Sequence, residues 1–149
     1  MLVSEILRIK GHTLFTTPPE RPLLEAVTVM TEHDIGSLVV MDHGRMAGML
    51  TFAEVLKALA DRAGALDDVT VADIHVRDPL TATPDLDVME LRRVMLERHA
   101  RYVPVMDGTL LQGVVSFHDV AKAVLDEQSF ENRMLKSYIK SSPDEEATT

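Results

Sequence analysis

Two short segments pair a hydroxyl with a carboxylate three residues later: Ser116 with Asp119, and Thr51 with Glu54. Each follows an apolar run, Gly113-Val114-Val115 or Gly48-Met49-Leu50, and each opens a stretch with helical spacing. At the first turn of a helix the backbone N–H groups lack partners and the dipole is positive, so a hydroxyl there stands beside a place suited to phosphate. A carboxylate three residues on faces the same side, and when ionised it accepts from both hydroxyls of a ribose. The same spelling is that of a capping box, in which hydroxyl and carboxylate satisfy only their own helix. One segment taken alone does not separate the two roles.

The segments are copies of each other. Thr16 to Asp61 aligns with Thr81 to Asp126 without a gap, matching Met30 with Met95, Glu32 with Glu97, Val40-Met41-Asp42 with Val105-Met106-Asp107, and Gly48, Phe52 and Lys57 with Gly113, Phe117 and Lys122. A matching lead precedes each copy, Val3-Ser4-Glu5-Ile6 and Val71-Ala72-Asp73-Ile74. Such self-similarity sets the domain plan before any element is assigned. We expect repeat 1 over 1–65, repeat 2 over 66–126, a C-terminal helix over 127–140 and a disordered tail over 141–149.

Local patterns supply the elements. A short strand at Leu14 to Thr16 is stopped by Pro18-Pro19, which remove two donors. Pro22 opens a helix whose apolar face is Leu23, Ala26, Val27 and Met30, running to about Asp34 and ended by Gly36. Ser37 to Met41 and Met46 to Leu50 form a hairpin about Asp42-His43-Gly44-Arg45, and a helix follows from about Thr51 to Arg62. The second copy gives strands at Leu80 to Ala82, Tyr102 to Met106 and Leu110 to Val115, with helices at Asp87 to His99 and Ser116 to Leu125. The fold class is therefore α/β (α+β), two strand-helix-strand-strand-helix repeats. Each is too small to bury much core alone, so the pair should pack sheet to sheet with pseudo-twofold symmetry.

Composition narrows the function. A net charge of -9 with scattered basic residues argues against nucleic acid. There is no cysteine for a thiolate, a disulfide or a Cys-type zinc site. No run of 18 apolar residues and no leader stands out, so no membrane partner and a cytoplasmic protein are expected. The histidines at 12, 33, 43, 75, 99 and 118 lack ligand spacing, so no metal is expected. G-x-S-x-G, P-loop and G-x-G-x-x-G motifs are absent, leaving an enzyme no residues to work with. The methionines at 30, 41, 46, 49, 89, 95 and 106 read as core filling. Arg92-Arg93 and Glu97-Arg98 read as a solvated helix face.

Taken in order and twice over, these motifs resemble the cystathionine beta-synthase (CBS) domain pair, or Bateman module. The carriers are Gly48-Met49-Leu50-Thr51-Phe52-Ala53-Glu54, Gly113-Val114-Val115-Ser116-Phe117-His118-Asp119, Tyr102-Val103-Pro104-Val105 and the two leads. The resemblance implies a non-enzymatic regulatory module that dimerises through its helices and binds an adenosyl ligand (AMP, ADP, ATP, NAD or S-adenosylmethionine) in clefts between the repeats. It further implies that each cleft takes the hydroxyl and carboxylate of one repeat and strand-edge residues of the other. Cleft A would then combine Ser116 and Asp119 with Ile35, Gly36, Ser37 and the Gly11-His12 segment. Cleft B would combine Thr51 and Glu54 with Ala100, Arg101, Tyr102 and the Arg77 to Leu80 segment. Cleft B departs from the family pattern, because Glu54 stands where Asp is usual. Losing two charge-assisted bonds at ~1.5 to 3 kcal/mol each would weaken it at least tenfold, which Arg101 on a phosphate or Tyr102 on a base would offset in part. Output would pass to an effector protein through the helix bearing Phe130, Met134, Leu135, Tyr138 and Ile139. A ligand-free dimerisation scaffold and a nucleotide-processing enzyme remain the rival readings.

Overall fold

The computed structural model describes residues 1–11 and 13–140. The elements in chain order are α1 (Val3–Lys10), β1 (Thr16–Thr17), α2 (Leu23–Glu32), β2 (Ser37–Asp42), β3 (Arg45–Thr51), α3 (Phe52–Asp61), α4 (Val71–Ile74), α5 (Val88–Arg98), β4 (Tyr102–Asp107), β5 (Leu110–Ser116) and α6 (Phe117–Lys140). Strands β1, β2 and β3 form one sheet in that order, and β4 and β5 form a second. The hairpins superpose in register: Ser37 faces Thr51 and Val40 faces Gly48 in the first, as Tyr102 faces Ser116 and Val105 faces Gly113 in the second. Both carry an irregularity at the same place, Val40/Met41 and Val105/Met106. Their central residues, Leu38, Val39, Val40, Val103 and Val105, are fully buried, so the near-continuous apolar runs do report two-faced burial.

The lead segments, which periodicity left unassigned, are helices, and they exchange cores. Val3, Ile6 and Leu7 of α1 pack with Val88, Leu91, Met95, Val103 and Val120 of the second repeat. Leu66, Val69 and Val71 pack with Leu23, Ala26, Leu38 and Leu50 of the first. Backbone bonds make the exchange symmetrical: the Val3 amide donates to Leu86 O and the Ser4 amide to Pro84 O, as Val71 donates to Arg21 O and Ala72 to Pro19 O. The cores do not follow the boundary expected near residue 65, because each lead packs into the other repeat.

Four local expectations need correction. The first strand is Thr16–Thr17, not Leu14 to Thr16, and it lies parallel to Val39 and Val40 of β2. Its counterpart at Leu80 to Ala82 is a single bridge from Ala82 to Val105 of β4, in which the Ala82 amide donates to Pro104 O and the Met106 amide to Ala82 O. Helix α2 ends at Glu32, with Asp34 rather than Gly36 in the left-handed region at φ 51°. The expected break near Leu125 does not occur: α6 is one helix from Phe117 to Lys140, a span without Gly or Pro. The tail expected to be disordered, 141–149, lies outside the described residues.

Some surface readings hold and one does not. Arg93 pairs with Glu90 and with Glu97 (2.7 Å) on an exposed face of α5. Met30, Met49 and Met95 are buried, whereas Met89 is exposed. Among the described residues no helix is long and apolar enough to cross a membrane, and no group of three or more His, Cys, Asp or Glu is placed to hold a metal.

Candidate functional site

Both hydroxyl-carboxylate pairs form the N-terminal caps that their spacing allows. Ser116 precedes α6; its Oγ accepts from the Asp119 amide at 3.0 Å, and Asp119 Oδ2 accepts from the Ser116 amide at 2.9 Å. Thr51 precedes α3; its Oγ1 accepts from the Ala53 amide at 3.3 Å and donates to Glu54 Oε1 at 2.9 Å, which also accepts from the Thr51 amide at 2.9 Å. The longer Glu54 side chain folds back wholly onto its own helix start. Asp119 does not stop there, because its Oδ2 also accepts from Lys10 Nζ, 2.8 Å away at the end of α1. Burial pushes the Asp119 carboxyl up, but the Lys10 ammonium and the Ser116 amide outweigh it and hold the group below the usual carboxylate range.

A cleft of about 620 Å³ lies between the repeats, within the size range of small-molecule sites. One wall is Phe15 with Asp34, Ile35, Gly36 and Ser37 of the first repeat; the other is Val114, Ser116, Phe117 and His118 of the second, with Lys10 at the edge. Ile35, Gly36, Ser37 and Ser116 are thus gathered as the resemblance implies. Asp119 lies behind Lys10, on an adjoining groove between α1 and α6 that Lys10 also lines. His12 lies outside the described residues.

The other cleft is not assembled in the same way. Thr51 and Glu54 are occupied with each other, and Leu80 and Ala100 pack against the second core. Arg101 and Tyr102, expected there, line the first cleft instead. The strand register gives the reason: Tyr102 is the pairing partner of Ser116, so it opens onto the same space as that helix start. Tyr102 meets Phe52 edge-on at 6.3 Å between ring centroids, and the Arg101 guanidinium sits 5.1 Å above the Phe52 ring. Gly36 makes room for the Tyr102 ring, since a Cβ at that position would fall 2.0 Å from the Tyr102 hydroxyl oxygen and push the side chain aside. On the far side, Val76 pairs with Met49 through reciprocal backbone bonds of 2.8 and 2.9 Å and closes the edge of β3.

Lys10, Phe52, Phe117 and Phe15 were not among the sequence candidates. The two phenylalanines at helix starts had a signal, being identical in both copies. Lys10 had none, because its partner is 109 residues away.

Comparison with known proteins agrees with this geometry. The family model for the CBS domain matches residues 3–61 and again 71–126. The chain belongs to the CBS domain family. This CBS pair is 29% identical to the mitochondrial CBS domain-containing protein CBSX3 of Arabidopsis thaliana, over 92% of this chain and 71% of that one. It resembles the crystal structure of a CBS-domain protein from Agrobacterium tumefaciens with a TM-score of 0.79 at 28% identity, covering 83% of this chain and 98% of that one. It also resembles the CBS domain pair of protein MJ0100, solved in complex with 5'-methylthioadenosine and S-adenosyl-L-methionine, with a TM-score of 0.74 at 26% identity, over 85% and 98% of the two chains.

Proposed function

We propose that this CBS pair is a regulatory rather than catalytic module that binds one adenosyl nucleotide in the cleft bounded by Ile35, Gly36, Ser37, Tyr102 and Ser116. AMP, ADP, ATP, NAD and S-adenosylmethionine are the candidate ligands, and the cytoplasm the proposed compartment. The observation that carries the reading is the junction itself: the helix start at Ser116 opens into an interrepeat cleft walled by aromatic rings and strand-start backbone. The adenosyl compounds bound by the MJ0100 pair give it support by likeness. Ribose hydroxyls go to Asp119, phosphate to the α6 start and Arg101, and adenine to the aromatic wall.

Because the cleft has walls from both repeats, a ligand stabilises whichever arrangement closes them together, and the signal is a shift in population. The pair works as a homodimer and passes that shift to an effector protein through the exposed Phe130, Met134 and Leu135 of α6. A second reading, a ligand-free scaffold, draws on one observation, that both carboxylates are already engaged by their own caps. Thermal unfolding with each of the five ligands separates the two. A midpoint that rises with ligand concentration supports the sensor, and five unmoved midpoints leave the scaffold.

A further inference from the structure

The two repeats protect the equivalent strand carbonyl by different means. In the first, Met49 O accepts from the backbone amide of Val76 at 2.8 Å. Its counterpart in the second, Val114 O, accepts from Lys10 Nζ at 2.8 Å. A backbone pair opens only if the chain moves, whereas an ammonium leaves by rotation about side-chain bonds. That same ammonium stands between the cleft and Asp119: Lys10 lines both the cleft and the adjoining groove, and Asp119 lines the groove.

Asp119 Oδ2 already has two donors, the Ser116 amide and Lys10, which fill its lone pairs. A cis-diol that gives one hydroxyl to each carboxylate oxygen finds one of them taken. Ribose therefore has to displace Lys10. The displaced ammonium loses its bonds to Asp119 and Val114 O; Lys10 is exposed, so water hydrates it, and a new anion offsets the loss further. Arg101 and Asp34 also line the cleft, on the far wall, so a ligand phosphate brought in beside Lys10 offers the freed ammonium an anion at close range.

We infer that Lys10 is a removable cover on Asp119 that makes this cleft select phosphorylated adenosyl ligands over unphosphorylated ones. The inference rests on the adenosyl reading and adds the selecting residue to it. The ligand exchanges with the ammonium: ribose takes Asp119, and Lys10 swings onto the phosphate. Adenosine has to break the same ion pair and gives nothing back.

Titration of the full chain and of Lys10→Met with adenosine and with AMP tests it, methionine having similar length without the charge. Lys10→Met should bind adenosine about threefold tighter and AMP about tenfold weaker, so that the preference for AMP collapses. Lys10→Arg, with the charge restored, should keep it. Wild-type binding with the two affinities moving by one common factor, or not at all, in Lys10→Met overturns the role of Lys10 alone. A wild type silent to both ligands beside a Lys10→Met variant that takes adenosine overturns the exchange onto phosphate, since Lys10 then only blocks the cleft. Silence of both folded proteins toward both ligands overturns the adenosyl reading and the cover with it.

Discussion

Met49 and Val76 exchange both backbone hydrogen bonds, at 2.9 and 2.8 Å, and so add a residue from beyond α4 to the edge of β3. The pairing explains why two repeats alike in sequence differ as sites. At the corresponding edge of β5 there is a lysine side chain instead, and the cleft beside it is open.

Gly48 and Gly113 are aligned and should respond differently to alanine. At Gly48 the backbone has φ 156°, and a Cβ would lie 2.0 Å from Val76 O, a backbone atom. Positive φ costs roughly 1–3 kcal/mol and overpacking roughly as much again. At Gly113 the nearest atom is a Leu7 methyl at 2.9 Å, which can rotate aside. Denaturant midpoints should fall several-fold further for Gly48→Ala than for Gly113→Ala.

Core exchange predicts that the first helix stabilises the second repeat. Ile6 is 4% exposed within the second core, so Ile6→Ala should cost about 2–5 kcal/mol. Amide exchange should show the loss in β4, β5 and α5 more than in β2 and β3. Equal loss of protection in both hairpins would contradict the exchanged packing.

Acid should weaken the link between α1 and α6. A carboxyl held below its ordinary value contributes stability that is present above its unfolded pKa, about 4, and is lost as pH falls through the folded value. The stability gap between wild type and Asp119→Asn should therefore be full at pH 6 and close below pH 4. Asp73 and Glu90 are also lowered and titrate alike in both proteins, so they cancel in the comparison. A gap independent of pH would mean that Lys10 does not hold Asp119 ionised.

Removing α6 beyond Glu127 tests the output surface. Phe130, Met134, Leu135 and Tyr138 are more than half exposed, so little folding energy is at stake there. The shortened protein should keep its unfolding midpoint and lose capture of its effector in a pull-down. Unchanged capture would place the effector elsewhere.

The repeat made much of this fold legible. Identical residues at aligned positions located both hairpins and both caps, and apolar runs bounded by Gly-containing turns placed the hairpin strands to within a residue or two. What could not be read is non-local. The exchange of leads depends on which of two similar cores Val3 and Val71 enter, and their flanking sequences are alike. The one-turn α4 against the two-turn α1 decides whether Val76 or Lys10 covers a strand edge, a difference in chain path that periodicity does not register. Arg101 and Tyr102 were assigned to the wrong cleft because the helix start they pair with in register belongs to their own repeat. Glu54 was singled out for its extra methylene, and it is Glu54 that folds entirely into its own cap.

The central claim, that Asp119 and Ser116 hold the ribose end of an adenosyl ligand, is tested most directly by calorimetric titration of wild type, Asp119→Ala and Glu54→Ala with AMP, ADP, ATP, NAD and S-adenosylmethionine. Loss of two charge-assisted bonds should weaken the best ligand at least tenfold in Asp119→Ala, whereas Glu54→Ala should bind within about twofold of wild type. No heat from any ligand with folded wild-type protein, or equal losses in the two variants, would contradict it.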